Sequence, residues 1–206
     1  MSELAVAVLA SGTGSNLQAI LDRLHGRGEV RVVGVGSDKP GAQALERADR
    51  AGVPTATFPA SEYADREARD AAIGDWLEGI GAELVVLAGY MQLLSPGLVR
   101  RFSRRLINVH PALLPSFPGL GAIEQAIEHG VRVTGVTIHF VDEGVDTGPI
   151  ILQEPIPLAY TRPIEDVVEE IHRVEHELLP HAVELIARGA VTIDEENPRL
   201  VRIDGG

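Results

Sequence analysis

Four short runs, Leu4–Ala10, Val30–Gly36, Leu84–Ala88 and Leu106–Val109, are rich in Val, Leu and Ile and show little polar alternation. A strand with one face in water alternates apolar and polar residues, so runs without alternation belong to strands covered on both faces, as in parallel sheets. Helical patterns separate them, at about Ser15–Leu24, Ala42–Ala51 and Arg66–Ile80, with Gly52 and Gly81 where helix stops belong. This βαβα rhythm constrains the chain to the α/β class, with an open, mostly parallel twisted sheet and flanking helices.

The pattern changes after residue 110. Pro111, Pro115 and Pro118 interrupt a stretch that neither a central strand nor a helix interior tolerates, which predicts a shaped loop. Val133–Phe140 then alternates, with Val136, Ile138 and Phe140 on one face and Thr137 and His139 on the other; Ile150–Pro157 is its expected partner in an antiparallel or mixed region. From Ile164 to Arg188, apolar residues recur every three to four positions, marking a long amphipathic helix interrupted or kinked at Pro180. Residues 191–206 are expected to form a short hairpin or an irregular tail. No repeat or linker divides the chain, so residues 1–206 are expected to form a single Rossmann-like domain.

Thirty acidic residues against 18 Lys and Arg give a formal net charge of -12, which repels a phosphate backbone and excludes nucleic acid as a bulk partner. The run from Leu4 to Ala10 is too short to span a bilayer and has no basic residues before it; the expectation is no membrane anchor, no signal peptide and a cytoplasmic location. With no cysteine, disulfides and thiolate chemistry are excluded, which leaves His, Asp, Glu, Asn and backbone amides.

The first strand runs into Ala10-Ser11-Gly12-Thr13-Gly14-Ser15-Asn16-Leu17, where a helix begins. Free N–H groups and the positive dipole end at such a start attract anions. A dinucleotide fingerprint needs a third Gly or Ala where Leu17 stands, and a phosphate loop needs a Gly-Lys-Ser/Thr ending that is absent. Phosphate binding competes here with a plain Ser or Asn helix cap. Asp38, ending the second strand, keeps a nucleotide ribose as a minor alternative.

Asn108 and His110 fall at the carboxyl end of a buried strand and, two residues apart, share a face at a spacing of about 6–7 Å. Ligands bind at that end of an open α/β sheet, and an amide donor beside an imidazole suits oxyanion stabilisation and proton movement. The competing reading makes Asn108 a loop cap and His110 a core residue. Asp142, Glu143 and Asp146 occupy a glycine-rich turn, from which one acid is expected to orient His110 and raise its pKa. A metal held by His110, His139 and Asp146 is weaker, since no HExxH-type cluster exists. Glu175 lies on the apolar stripe of the last helix, so it needs a partner: a cationic or amine-bearing ligand, or an arginine of this chain. His172 flanks the same stripe.

Together, Ser11-Gly12-Thr13-Gly14-Ser15-Asn16-Leu17-Gln18, Leu87-Ala88-Gly89-Tyr90-Met91, Asn108-Val109-His110-Pro111-Ala112-Leu113-Leu114-Pro115 and Asp142 through Pro149 resemble the phosphoribosylglycinamide formyltransferases, folate-dependent enzymes of purine synthesis. The resemblance runs from about Leu4 to Arg188. It implies direct transfer of the formyl group of 10-formyltetrahydrofolate to the primary amine of glycinamide ribonucleotide, with no metal. The family's catalytic residues fall on Asn108, His110 and Asp146, with the Asn108 amide and a protonated His110 donating to the oxyanion and Asp146 holding the ring and a proton-relaying water. Gly14, Ser15 and Asn16 match the phosphate site, and Glu175 matches the receptor for the amine. The folate is implied to contact Arg66, Tyr90, Met91, Leu93, Leu94, Asn108, Val141 and Asp146, and Leu114–Pro115 matches a cis step. The halves then read as 1–110 for phosphate and 111–190 for folate and catalysis, with small-molecule partners and a monomer or homodimer.

One departure stands out. After Phe117-Pro118-Gly119 the family commonly carries a His, whereas this chain has Leu120-Gly121-Ala122-Ile123-Glu124 and no histidine before His129. Rival readings are a 10-formyltetrahydrofolate hydrolase, a transferase acting on methionyl-tRNA or an amino sugar, and a non-catalytic nucleotide-binding sensor. The chain's length and charge disfavour the hydrolase and the tRNA enzyme, and the intact trio disfavours the sensor.

Overall fold

A computed structural model describes residues 3–160 and 163–204. Its strands are β1 (Leu4–Leu9), β2 (Val30–Ser37), β3 (Thr55–Thr57), β4 (Leu84–Leu87), β5 (Leu106–His110), β6 (Val133–Phe140), β7 (Ile150–Pro157), β8 (Val191–Ile193) and β9 (Val201–Ile203). The helices are α1 (Ser15–Arg23), α2 (Gln43–Arg50), α3 (Arg66–Gly79), α4 (Pro96–Arg101), α5 (Ala122–Glu128) and α6 (Ile164–Ala187), with a 3-10 turn at Ala60–Glu62. Seven strands form one mixed sheet in the order β3-β2-β1-β4-β5-β6-β7, and β8 pairs with β9. The chain divides into two compact units, residues 1–107 and 108–206.

In the first unit β1 pairs in parallel with β2 and β4, and β2 with β3. The unalternating runs are buried as their composition requires: Val6, Ala7, Val8 and Leu9 have no exposure, nor do Val85 and Val86. Asp65 starts α3 by accepting the Ala68 N–H at 2.8 Å, and Ser95 caps α4 in the same way through Leu98. The sequence pattern misses β3, the 3-10 turn, α4 and α5, all of them short. Seven residues or fewer carry too little periodicity to register.

The second unit holds the antiparallel pair β6 and β7, with Val133 opposite Pro157 and Ile138 opposite Leu152. Helix α6 packs on both strands. It continues through Pro180 without interruption, and Pro180 itself is buried. The alternation read in β6 proves misleading, because Thr137 (0% exposed) and His139 (1%) are as buried as Val136 and Ile138. Thr137 donates to the Ala112 carbonyl at 2.6 Å and accepts from the Leu114 N–H at 3.1 Å and from Gln153 at 3.0 Å. The polar face of β6 therefore holds the proline-rich loop, which contains a cis Leu114–Pro115 bond. The tail is a hairpin, β8 with β9; residues 205–206 of the expected tail lie outside the described residues. No helix among the described residues is long and apolar enough to cross a membrane.

Candidate active site

In the second unit, β5 ends at His110, and its last turn of chain delivers Asn108 and His110 to one place. The loop after β6 brings Asp146 to them. Gly148 permits this return, because a Cβ there would sit 1.8 Å from the Phe140 carbonyl oxygen. Asp142 shapes the same loop by accepting from the Gly144 N–H at 3.1 Å and the Thr147 hydroxyl at 2.6 Å. Of the three turn acids, Asp146 alone is turned to His110 in these contacts. Its φ of 53° places it in the left-handed region, as does the φ of 54° at Phe117. Non-glycine residues pay about 1–2 kcal/mol there, a strain that concentrates at functional sites.

His110 is 4% exposed. Its Nε2–H donates to the Phe117 carbonyl at 2.8 Å, while Nδ1 lies 3.4 Å from Asp146 Oδ2. In the neutral ring, Nδ1 then turns a bare lone pair toward a carboxylate. A proton arriving at Nδ1 converts that contact into an ion pair, so the two groups form a proton-binding site. Burial holds the His110 pKa below its ordinary value, against the opposing pulls of Asp146 and the Phe117 carbonyl. The upward pull expected of a turn acid is exerted by Asp146, but desolvation outweighs it and the net direction is downward.

Asn108 Nδ2 donates to Asp146 Oδ1 at 3.3 Å and lies 3.3 Å from His139 Nε2. His139 donates from Nδ1 to the Phe140 carbonyl at 2.8 Å, which leaves Nε2 to accept from Asn108 when the ring is neutral. When protonated, Nε2 faces Asp146 Oδ1 at 3.5 Å. Asp146 also accepts the Gly119 N–H at 2.8 Å. Burial pushes the Asp146 carboxyl up, but His139, the Gly119 amide and His110 outweigh it and hold the carboxyl below its usual value. His139 and the two loop backbone groups are the site members that the pattern left without a role; only the expected weak metal reading named His139. His110, His139 and Asp146 do meet, both rings lying within 3.5 Å of the carboxylate, and among the described residues no group of three or more such side chains has a metal-holding arrangement.

Val141 is partly buried directly after β6, and Glu175 is 6% exposed on α6, as its place on the apolar stripe requires. His172 stacks on His176 with ring centres 6.4 Å apart. In the loop after Gly119, Gly121 starts α5, and His129 packs edge-on against the Phe117 ring at 5.2 Å.

In the first unit, Gly14 at φ 71° is the residue that starts α1, and no side chain caps it. The Ser or Asn cap that competed with phosphate binding is therefore not formed. A Cβ on Gly14 would meet Ala44 Cα at 2.7 Å, so the turn is fitted tightly against α2. Arg47 braces it by donating to the Thr13 carbonyl at 2.8 Å and to Gln18 at 3.0 Å. Asp38 is 7% exposed and accepts from Gln92 through Oδ2. Arg66 pairs with Glu67 at 3.2 Å on the surface. Tyr90 is half-buried, and burial pushes its hydroxyl pKa well up. Met91 and Leu93 are 57% and 62% exposed, and Leu94 is partly buried.

The formyl transferase family matches residues 4–183. The chain belongs to this family. Among formyl transferases it is 40% identical over 178 residues to the phosphoribosylglycinamide formyltransferase of Bacillus subtilis, covering 86% of this chain and 91% of that protein. It is 44% identical over 191 residues to the trifunctional purine biosynthetic protein adenosine-3 of Bos taurus, a match that covers 92% of this chain but 19% of that protein. The chain thus spans about a fifth of the length of such relatives. The crystal structure of glycinamide ribonucleotide transformylase 1 from Symbiobacterium toebii superimposes with a TM-score of 0.92 at 46% identity, covering 98% of this chain and 94% of that one. Its α/β architecture is that of the present formyl transferase.

Proposed function

We propose that this formyl transferase moves the formyl group of 10-formyltetrahydrofolate to the primary amine of glycinamide ribonucleotide, yielding the N-formyl product and tetrahydrofolate. The observation that carries the reading is the Asn108–His110–Asp146 cluster. It joins an amide donor, an imidazole with lowered proton affinity and a carboxylate in one partly buried place. Such a set serves an addition step in which oxygen gains negative charge while nitrogen loses a proton.

The amine nitrogen attacks the formyl carbon and forms the new C–N bond, while the C=O electron pair moves onto oxygen. An Asn108 N–H released from Asp146 Oδ1 or His139 Nε2 is suited to stabilise that oxyanion. The ammonium proton passes to His110 Nδ1, where Asp146 compensates the charge. The resulting imidazolium adds its field to the oxyanion. Collapse of the adduct re-forms C=O and breaks the bond to N10 of the folate, which receives a proton from the same cluster, directly or through a water held by Asp146. Gly14, Ser15 and Asn16 are assigned to the phosphate, supported by the uncapped start of α1. Glu175 is assigned to the amine, supported by its burial. Arg66, Tyr90, Met91, Leu93, Leu94 and Val141 are assigned to the folate, supported by the resemblance and by the exposed apolar surface of Met91 and Leu93. No step calls on a metal ion.

The test is acceptor dependence. Purified protein should consume 10-formyltetrahydrofolate only when glycinamide ribonucleotide is supplied. Formate release at the same rate without an acceptor would instead assign a hydrolase.

A further inference from the structure

A second buried charged cluster lies wholly within the first unit and takes no part in the chemistry above. Arg69 and Asp70, neighbours on α3, are 4% and 1% exposed. Asp70 Oδ1 accepts from Arg69 Nε at 3.0 Å and from Nη2 at 2.8 Å, and Asp70 Oδ2 accepts the Ser95 N–H. Arg69 then reaches out of the pair, donating from Nη1 to Gln92 Oε1 at 3.0 Å and from Nη2 to the Leu93 carbonyl at 3.3 Å. Gln92 is fixed from its other side by Asp38, which accepts from Nε2 at 3.0 Å. At the start of the same segment, Ser11 Oγ accepts the Met91 N–H at 2.8 Å.

The segment 91–95 is therefore fastened at Met91, Gln92, Leu93 and Ser95, although it is neither helix nor strand and exposes two large apolar side chains. Burying an ion pair gives little net stability, because desolvation of both charges offsets their attraction. Its use is to specify geometry. A guanidinium suits that use: its donors lie in a fixed plane, and it stays charged across the working pH range.

We infer that Arg69, acting through Gln92 and the Leu93 carbonyl, is a positioning residue that holds Met91 and Leu93 as a preorganised apolar platform for the flat ring of the formyl donor. The inference rests on the proposed donor assignment of that segment. Preorganisation raises affinity by removing the ordering cost of the loop at the moment of binding. Loss of the anchor should consequently appear in donor binding and leave acceptor binding untouched.

Steady-state kinetics of the full chain with 10-formyltetrahydrofolate and glycinamide ribonucleotide tests this in Gln92→Ala, Arg69→Lys and Arg69→Met. Gln92→Ala leaves the buried Arg69–Asp70 pair intact, so it keeps the test open if Arg69→Met does not fold. Gln92→Ala should raise KM for the donor about tenfold, equivalent to about 1.4 kcal/mol, with acceptor KM and kcat changed by no more than about twofold. Arg69→Met should exceed that effect, and Arg69→Lys should fall between wild type and Arg69→Met. An unchanged donor KM in both Gln92→Ala and Arg69→Lys, or an equal rise in both KM values, would overturn the inference. A wild-type protein that does not use this donor would instead overturn the underlying functional reading.

Discussion

Two buried charged clusters of this formyl transferase are built on opposite plans. Around Arg69 the hydrogen bonds to Asp70 and Gln92 run from 2.8 to 3.0 Å, and the cation is a guanidinium that does not titrate. Around Asp146 the side-chain contacts run from 3.3 to 3.5 Å, the partners are an amide and two imidazoles, and the backbone is strained at Asp146 and Phe117. The first arrangement has one protonation state and one geometry. In the second, Nδ1 of a neutral His110 faces Asp146 with no proton between them, and a proton entering there makes an ion pair. Buried charge can thus serve placement or proton movement, and bond length with titratability separates the two.

The comparison can be broken at four points. The largest effect is expected from Asn108→Ala and Asp146→Ala, which should each lower kcat by about 100-fold or more while both KM values stay within a fewfold, because the lost interactions form in the transition state. A matching loss in KM would make these residues binding groups. Next comes Asp70→Asn, which leaves Arg69 buried without its counter-charge and should cost about 3–5 kcal/mol of stability, read as a lowered denaturant midpoint. An unchanged midpoint would show that the pair is not held tightly.

Gly14→Ala should cost about 2 kcal/mol through its left-handed backbone alone, more with the Ala44 contact, and should raise the acceptor KM without affecting the donor KM. The smallest effect concerns pH. Because burial lowers the His110 pKa, its neutral form dominates above the ordinary histidine value, and kcat should rise with pH and level off before reaching it. Asp146 raises the His110 pKa, so Asp146→Asn should move the His110 titration to lower pH, visible in its imidazole proton NMR shifts. A move to higher pH would reverse the assigned sign. For stability the signs agree: both folded-state pKa values lie below the unfolded ones. The His110 contribution is full above the ordinary histidine value and is lost as pH falls through the folded His110 pKa; the Asp146 contribution is lost at still lower pH.

Much of this was legible in the residues because it depends on local pattern. The four unalternating runs became β1, β2, β4 and β5, and Val133–Phe140 and Ile150–Pro157 paired as expected. Asn108 and His110 were readable as a pair at a strand end, but the pattern left Asp142, Glu143 and Asp146 open as its acid, and only the family resemblance singled out Asp146. Three things were not readable. The burial of the β6 face carrying Thr137 and His139 was not readable, because alternation does not reveal what covers a polar face. The roles of the Phe117 carbonyl and Gly119 amide had no signal at all, since backbone groups are the same in every residue. Arg69 was hidden for a different reason: a charged pair on a helix reads as surface until the fold buries it.

The division of labour between the two clusters is tested most directly by His110→Ala at saturating concentrations of both substrates. The proton-moving assignment predicts a kcat at least about 100-fold below wild type with the donor KM nearly unchanged. A kcat near wild type, or a loss confined to donor KM, would contradict it and place the chemistry elsewhere.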